Sequence, residues 1–81
     1  MIRARVTITL KPGVLDPQGK AIEGALGGLG FGGVLSARQG KVVDLELDSQ
    51  DADGAKADVA RMCDALLVNG VVERYDIQIL N

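Results

Sequence analysis

A few residues in this 81-residue chain have types and spacings that could do chemistry. Asp44 and Glu46 stand two apart in a run of alternating apolar residues, which on a strand puts both carboxylates on one face about 7 Å from each other. General acid–base work needs one of two such groups raised by burial or by a close like charge, and alternate acids on a polar strand face are ordinarily solvated. Asp48, Asp51 and Asp53 crowd together as ligands to a hard cation would, yet they lack the glycine and distal glutamate of a calcium loop and lie where a helix N-terminus uses them as caps. Cys63 has no second cysteine and no histidine anywhere in the chain to activate it or to share a metal. It falls on the apolar stripe of a helix and reads as a small core hydrophobe. Finally, six of the ten residues from Gly24 to Gly33 are glycine, and Gly28-Leu29-Gly30-Phe31-Gly32-Gly33 satisfies the spacing G-x-G-x-x-G.

That glycine pattern cradles a phosphate only when a strand precedes it and a helix N-terminus follows, because the free N–H groups and positive dipole end belong to the helix start. The flanking elements decide the matter. Ala4, Val6, Ile8 and Leu10 alternate with Arg3, Arg5, Thr7 and Thr9, the period of a half-buried strand over 2–10. Lys11-Pro12-Gly13 breaks it, and Asp16-Pro17 is a helix start, with Asp able to accept from first-turn N–H groups and Pro pre-set for the first helical position. Ala21, Ile22, Ala25, Leu26 and Leu29 then form one stripe of a helix over about 17–29. The glycines therefore follow a helix, the inverse of a phosphate loop, and Gly30 suits the left-handed residue that ends it.

Further along, 34–38 and 41–47 both read as strands, either as a hairpin about Gln39-Gly40 or as one long strand with a glycine bulge. Val59, Met62, Cys63, Leu66 and Leu67 mark a second amphipathic helix after Asp48, stopped by Asn69-Gly70. Tyr75, Ile77 and Ile79 alternate with Arg74, Asp76 and Gln78 in a last strand over 71–80. The order β-α-β-(β)-α-β predicts an α+β, ferredoxin-like two-layer sandwich occupying 1–81 as a single domain, with an antiparallel sheet, two helices on one face and edges that can extend across subunits.

Composition narrows the function. Hydrophobic residues make up 47% of the chain and aromatic ones 2%, and the formal net charge is −2 with nine scattered Lys and Arg. Neither stacking platforms nor a basic stripe is available for nucleic acid. The N-terminal residues alternate too quickly for a signal peptide, and no span reaches membrane length, so a cytoplasmic chain is expected. A core this small stabilises a domain by only about 3–5 kcal/mol, which favours a partner surface. The stiff segment Lys11-Pro12-Gly13-Val14-Leu15-Asp16-Pro17-Gln18-Gly19 offers one: Val14 and Leu15 either project as a contact surface or tuck beneath the first helix.

Taken with that segment, Arg38-Gln39-Gly40-Lys41 running into Val43-Asp44-Leu45-Glu46-Leu47, and Met62-Cys63-Asp64-Ala65-Leu66-Leu67-Val68-Asn69 ahead of Val71-Val72-Glu73-Arg74-Tyr75, the chain resembles the PurS family along essentially its whole length. Gly70 stands where that family commonly carries proline, and Arg74 where an acid is common. The family is the small subunit of phosphoribosylformylglycinamidine (FGAM) synthase. The resemblance implies a purine-biosynthesis step in which ATP activates an amide oxygen of formylglycinamide ribonucleotide and glutamine-derived ammonia displaces it. It implies that a glutaminase subunit releases ammonia, that a large subunit binds ATP, magnesium and nucleotide, and that this chain binds no cofactor, self-associates as dimer or tetramer, and bridges the two. The partner interface is then expected on Lys11, Pro12, Gly13, Val14, Leu15, Asp16, Gln18, Arg38 and Lys41, with no catalytic residue in the chain. An ACT-like regulatory module shares the element order and is the alternative. It would show polar groups converging on a pocket after the first strand, where a docking subunit shows a stiff, apolar-tipped loop and an open sheet edge.

Overall fold

A computed structural model describes Met1–Leu80. Its elements are β1 (Ile2–Leu10), α1 (Pro17–Gly28), β2 (Lys41–Leu47), α2 (Ala52–Met62), continued by a π-helical turn (Cys63–Leu67), and β3 (Glu73–Ile79). The three strands form one antiparallel sheet in the order β2-β1-β3.

The alternation in β1 fixes the register. Ile2, Ala4, Val6 and Ile8 are buried, while Arg3, Arg5 and Thr7 are exposed. Val6 lies opposite Val43 on β2 and Ile77 on β3, so all three strands turn their apolar residues to the same face. A one-residue slip would turn every one of them to water, so this register is strongly favoured. On the other face Arg5 lies opposite Asp44 and donates to both of its oxygens, at 2.9 and 3.3 Å.

The helix over that apolar face is α2, which lies across β1 and β3 and seats Ala55, Val59 and Cys63 on the sheet. Its 3.6-residue period predicts Met62 and Leu66 inside as well. Both are instead exposed, Met62 at the end of α2 and Leu66 at 83%, the latter within a turn where the Val68 N–H bonds the Cys63 carbonyl five residues back. The wider turn adds a residue and rotates the chain, so that Leu67 and Val68 pack at the core margin.

Two expectations differ from the structure. Residues 34–38 form no strand; the chain there is irregular, and Gln39-Gly40 is the approach to β2, neither a hairpin turn nor a bulge. The backbone here is held by side chains in place of a strand partner, the Ala37 N–H by Glu23 and the Gln39 N–H by Asp16. The α+β class holds, but the two helices differ in placement. Unlike α2, α1 buries only Gly19 and leaves Ile22 40% exposed, and the inner face of β2 (Val43, Leu45, Leu47) is only half-buried at the margin of the core. The chain runs out along α1, turns at Gly30 and returns as a projecting arm. The dimensions show it: 49 × 26 × 14 Å, with a radius of gyration of 16.1 Å where a compact chain of this length has about 12 Å.

The turn at the arm's tip has a plain cause. Gly30 adopts φ +99°, its N–H bonds the Gly27 carbonyl, and the Phe31 N–H bonds the Leu26 carbonyl, which together close the last helical carbonyls. The glycines thus sit at the carbonyl end of α1, as the spacing of the elements predicts.

Candidate functional site

The segment after β1 is a tight turn. The Val14 N–H bonds the Lys11 carbonyl at 3.1 Å, with Pro12 setting the first central position and Gly13 taking φ +86° at the second, a conformation that requires glycine. Beyond it Val14 is half-buried and Leu15 is 69% exposed, so of the two apolar residues Leu15 is the one that projects. Lys11 ties the turn to the start of β3: its backbone N–H bonds the Val72 carbonyl at 2.8 Å and its Nζ donates to the Gly70 carbonyl at 2.7 Å.

Behind Leu15 lies the buried Asp16, 5% exposed. Its Oδ1 accepts from the Gly19 N–H at 2.9 Å, capping α1, and its Oδ2 accepts from the Gln39 N–H at 2.7 Å. Those two backbone donors, the Gln39 N–H first, hold its carboxyl below the usual carboxylate range, and the Arg38 charge adds to the effect. Arg38 itself donates to the carbonyls of Val14, Lys11 and Leu10 at 3.0, 3.3 and 3.4 Å. Lys41 faces Glu73 at 3.5 Å, and Glu73 is lowered chiefly by the Asn69 N–H that it accepts, then by Lys41.

All nine residues expected at the interface therefore gather at one end of the molecule, in two roles. Leu15, Pro12, Gly13 and Gln18 are exposed, whereas Val14 is half-buried with its carbonyl on Arg38, and the polar groups of Lys11, Asp16, Arg38 and Lys41 bond within the chain. A 400 Å³ cavity opens here between Ile8, Leu10, Asp16, Gln18, Lys41 and Glu73. Lys41 and Glu73 face each other in it, Asp16 is held by backbone N–H groups, and no buried side-chain nitrogen or oxygen among the described residues lacks a partner. Sequence reasoning missed Glu73, Gly70 and Glu23, whose Oε2 accepts the Ala37 N–H at 3.1 Å. Only the register, which pairs Leu10 with Glu73, brings the turn before β3 beside Lys11.

Because Asp16 is depressed in the folded chain, its contribution is fully present above the unfolded pKa of about 3.9 and is lost as pH falls through the lower folded value. Unfolding by denaturant from pH 7 to pH 2 should show stability falling below about pH 4. Asp16→Asn should flatten part of that limb; an unchanged acid dependence in the variant would mean that Asp16 carries none of it.

The other candidates are accounted for by structure. Asp44 is held down by its bonds to Arg5, the opposite of what a general acid requires. The Cys63 thiol is fully buried and pushed up by that burial, away from thiolate chemistry. Asp51 is the N-cap residue of α2 by position only, since its carboxylate makes no capping hydrogen bond and its backbone N–H bonds Ser49 Oγ, and Asp53 lies in the first turn. Among the described residues no helix is long and apolar enough to cross a membrane.

This architecture is shared with known proteins. Residues 3–81 match the family described as PurS, phosphoribosylformylglycinamidine (FGAM) synthase. The chain belongs to the PurS family. It is 44% identical over 77 residues to phosphoribosylformylglycinamidine synthase subunit PurS of Mycobacterium leprae, covering 95% of this chain and 94% of that one. Against the crystal structure of Methanocaldococcus jannaschii PurS, one of the subunits of formylglycinamide ribonucleotide amidotransferase, the TM-score is 0.90 at 38% identity over 98% of this chain and 95% of the other. A chain in the structure of PurLQS from Thermotoga maritima matches with a TM-score of 0.89 at 32% identity, over 98% and 96%.

Proposed function

We propose that the chain is the small subunit of FGAM synthase in purine biosynthesis, acting in the cytoplasm as the bridge between the glutaminase and the ATP-dependent synthetase subunits so that ammonia passes between them. The observation that carries the reading is the match, over nearly the whole of both chains, to a member of the PurLQS assembly. The geometry supports a docking role: a rigid turn presents Leu15 to solvent, while the charged groups around it brace the turn. In this reading ATP, magnesium and the nucleotide belong to the large subunit. The charged groups that line the cavity speak against an effector site of the ACT-like kind, since Asp16 is taken up by two backbone N–H groups and Lys41 faces Glu73.

Self-association belongs to the same reading. The chain exposes 5630 Å², about 1,000 Å² more than a compact protein of its mass, and a partner's share of a stable interface is about 800 Å². Ile22 and Leu29 of its α1 stripe are exposed, and the β2 side of its apolar sheet face is only half-buried. We place the α1 of a second copy over that side.

Mixing the purified chain with its candidate synthetase and glutaminase subunits and assaying glutamine-dependent amidination tests the assignment. Activity should require all three. Full activity without this chain would overturn the proposal.

A further inference from the structure

We propose that a polar clasp at its base, and not hydrophobic packing, aims the α1 arm. The excursion from Pro17 to Arg38 leaves the body and returns to it, and the carboxylate of Asp16 bonds both ends: Oδ1 takes the outgoing Gly19 N–H at 2.9 Å and Oδ2 the returning Gln39 N–H at 2.7 Å. Arg38 closes the other side, its guanidinium reaching the carbonyls of Val14, Lys11 and Leu10. A third tie, the Ala37 N–H on Glu23 Oε2 at 3.1 Å, lies one turn further out.

The outgoing and returning segments pass closely here. A Cβ on Gly19 would stand 2.4 Å from the Ala37 carbonyl oxygen, and one on Gly40 would stand 2.7 Å from that of Ile8, so both sites demand glycine for space. Meanwhile α1 buries no apolar side chain of its own, and its Ile22 is exposed. Apolar burial is non-directional, whereas hydrogen bonds fix distance and angle, so the bonds of the clasp are what set the direction of the arm. The inference rests on contacts within one chain and stands whether or not the subunit assignment does. Asp16 and Arg38 are positioning residues: they touch no substrate and act by aiming α1 and stiffening the turn that carries Leu15.

Pulsed electron-spin distances test this in the full chain, with nitroxides at Leu29→Cys near the arm's tip and Val42→Cys on the exposed face of β2. An Ile22→Asp background removes any apolar hold on the arm, and excess unlabelled chain leaves only intramolecular pairs. With the clasp intact we expect one narrow distance distribution. Asp16→Ser keeps a helix-capping oxygen but cannot reach both N–H groups, and Arg38→Ala removes the opposite side; each should widen the distribution at least twofold. If Asp16→Ser costs the helix by circular dichroism, Arg38→Ala decides. A broad distribution with the clasp intact, or narrow ones in the folded variants, would overturn the proposal.

Discussion

Replacing Leu15 with aspartate should leave the chain folded and take it out of the complex. Leu15 is 69% exposed, beyond a turn held by its own hydrogen bonds, so a charge there meets water in the free chain and thermal stability should barely move. In the complex the same charge would have to enter an apolar contact at a cost of roughly 2–4 kcal/mol, equivalent to about 30- to 1,000-fold weaker docking. Co-elution with the synthetase and glutaminase subunits and glutamine-dependent amidination should fall together. Amidination by the large subunit supplied with concentrated free ammonia should fall less, because the chain is proposed to deliver ammonia and not to catalyse its attack. A variant that unfolds, with normal association of the fraction that stays folded, would place Leu15 in the monomer core and end the docking assignment.

How far the sequence reached follows from the range of the interactions involved. Period-2 alternation in 2–10, the Asp16-Pro17 start and the Gly30 stop are local signals, and each recurs in the structure: a half-buried central strand, an N-cap on Gly19 and a left-handed residue closing α1. The segment 34–38 has strand-like residues but joins neither open edge of the sheet; from Ala37 to Gln39 the chain is held at the base of α1 by Glu23 and Asp16, partners distant in sequence. Leu66 was misplaced because one π-helical bond shifts the phase of the stripe, and nothing in the residue types announces that bond. The Lys11-to-Gln18 loop is legible as stiff, but not that Leu15 projects while Val14 is half-buried, nor that Arg38, from across the chain, holds the Val14 carbonyl. Likewise, Asp16 looked like a helix cap and is one, but its second oxygen answers Gln39, a partner 23 residues away that spacing cannot reveal.

The largest effect on assembly of the chain with itself is expected from Ile22→Asp. In a helix packed on its own sheet, Ile22 would be buried and aspartate there would unfold the domain. Here Ile22 is 40% exposed on a stripe with Leu26 and Leu29, while the core is formed elsewhere, by β1 with Ala55, Val59 and Cys63. The folded chain can therefore accept the charge. A dimer in which α1 covers the half-buried β2 side of a second copy cannot, and because a two-fold interface repeats each contact, one substitution places two charges in it. A loss of about 3 kcal/mol, roughly a hundredfold in dissociation constant, is the expected scale. Sedimentation at micromolar concentration should show the parent chain associated and the variant as a folded monomer of unchanged helix content. Association at parental strength would mean that α1 lies outside the interface, and the second copy would then have to join through the open edges of β2 or β3, where the strands still offer unpaired backbone groups.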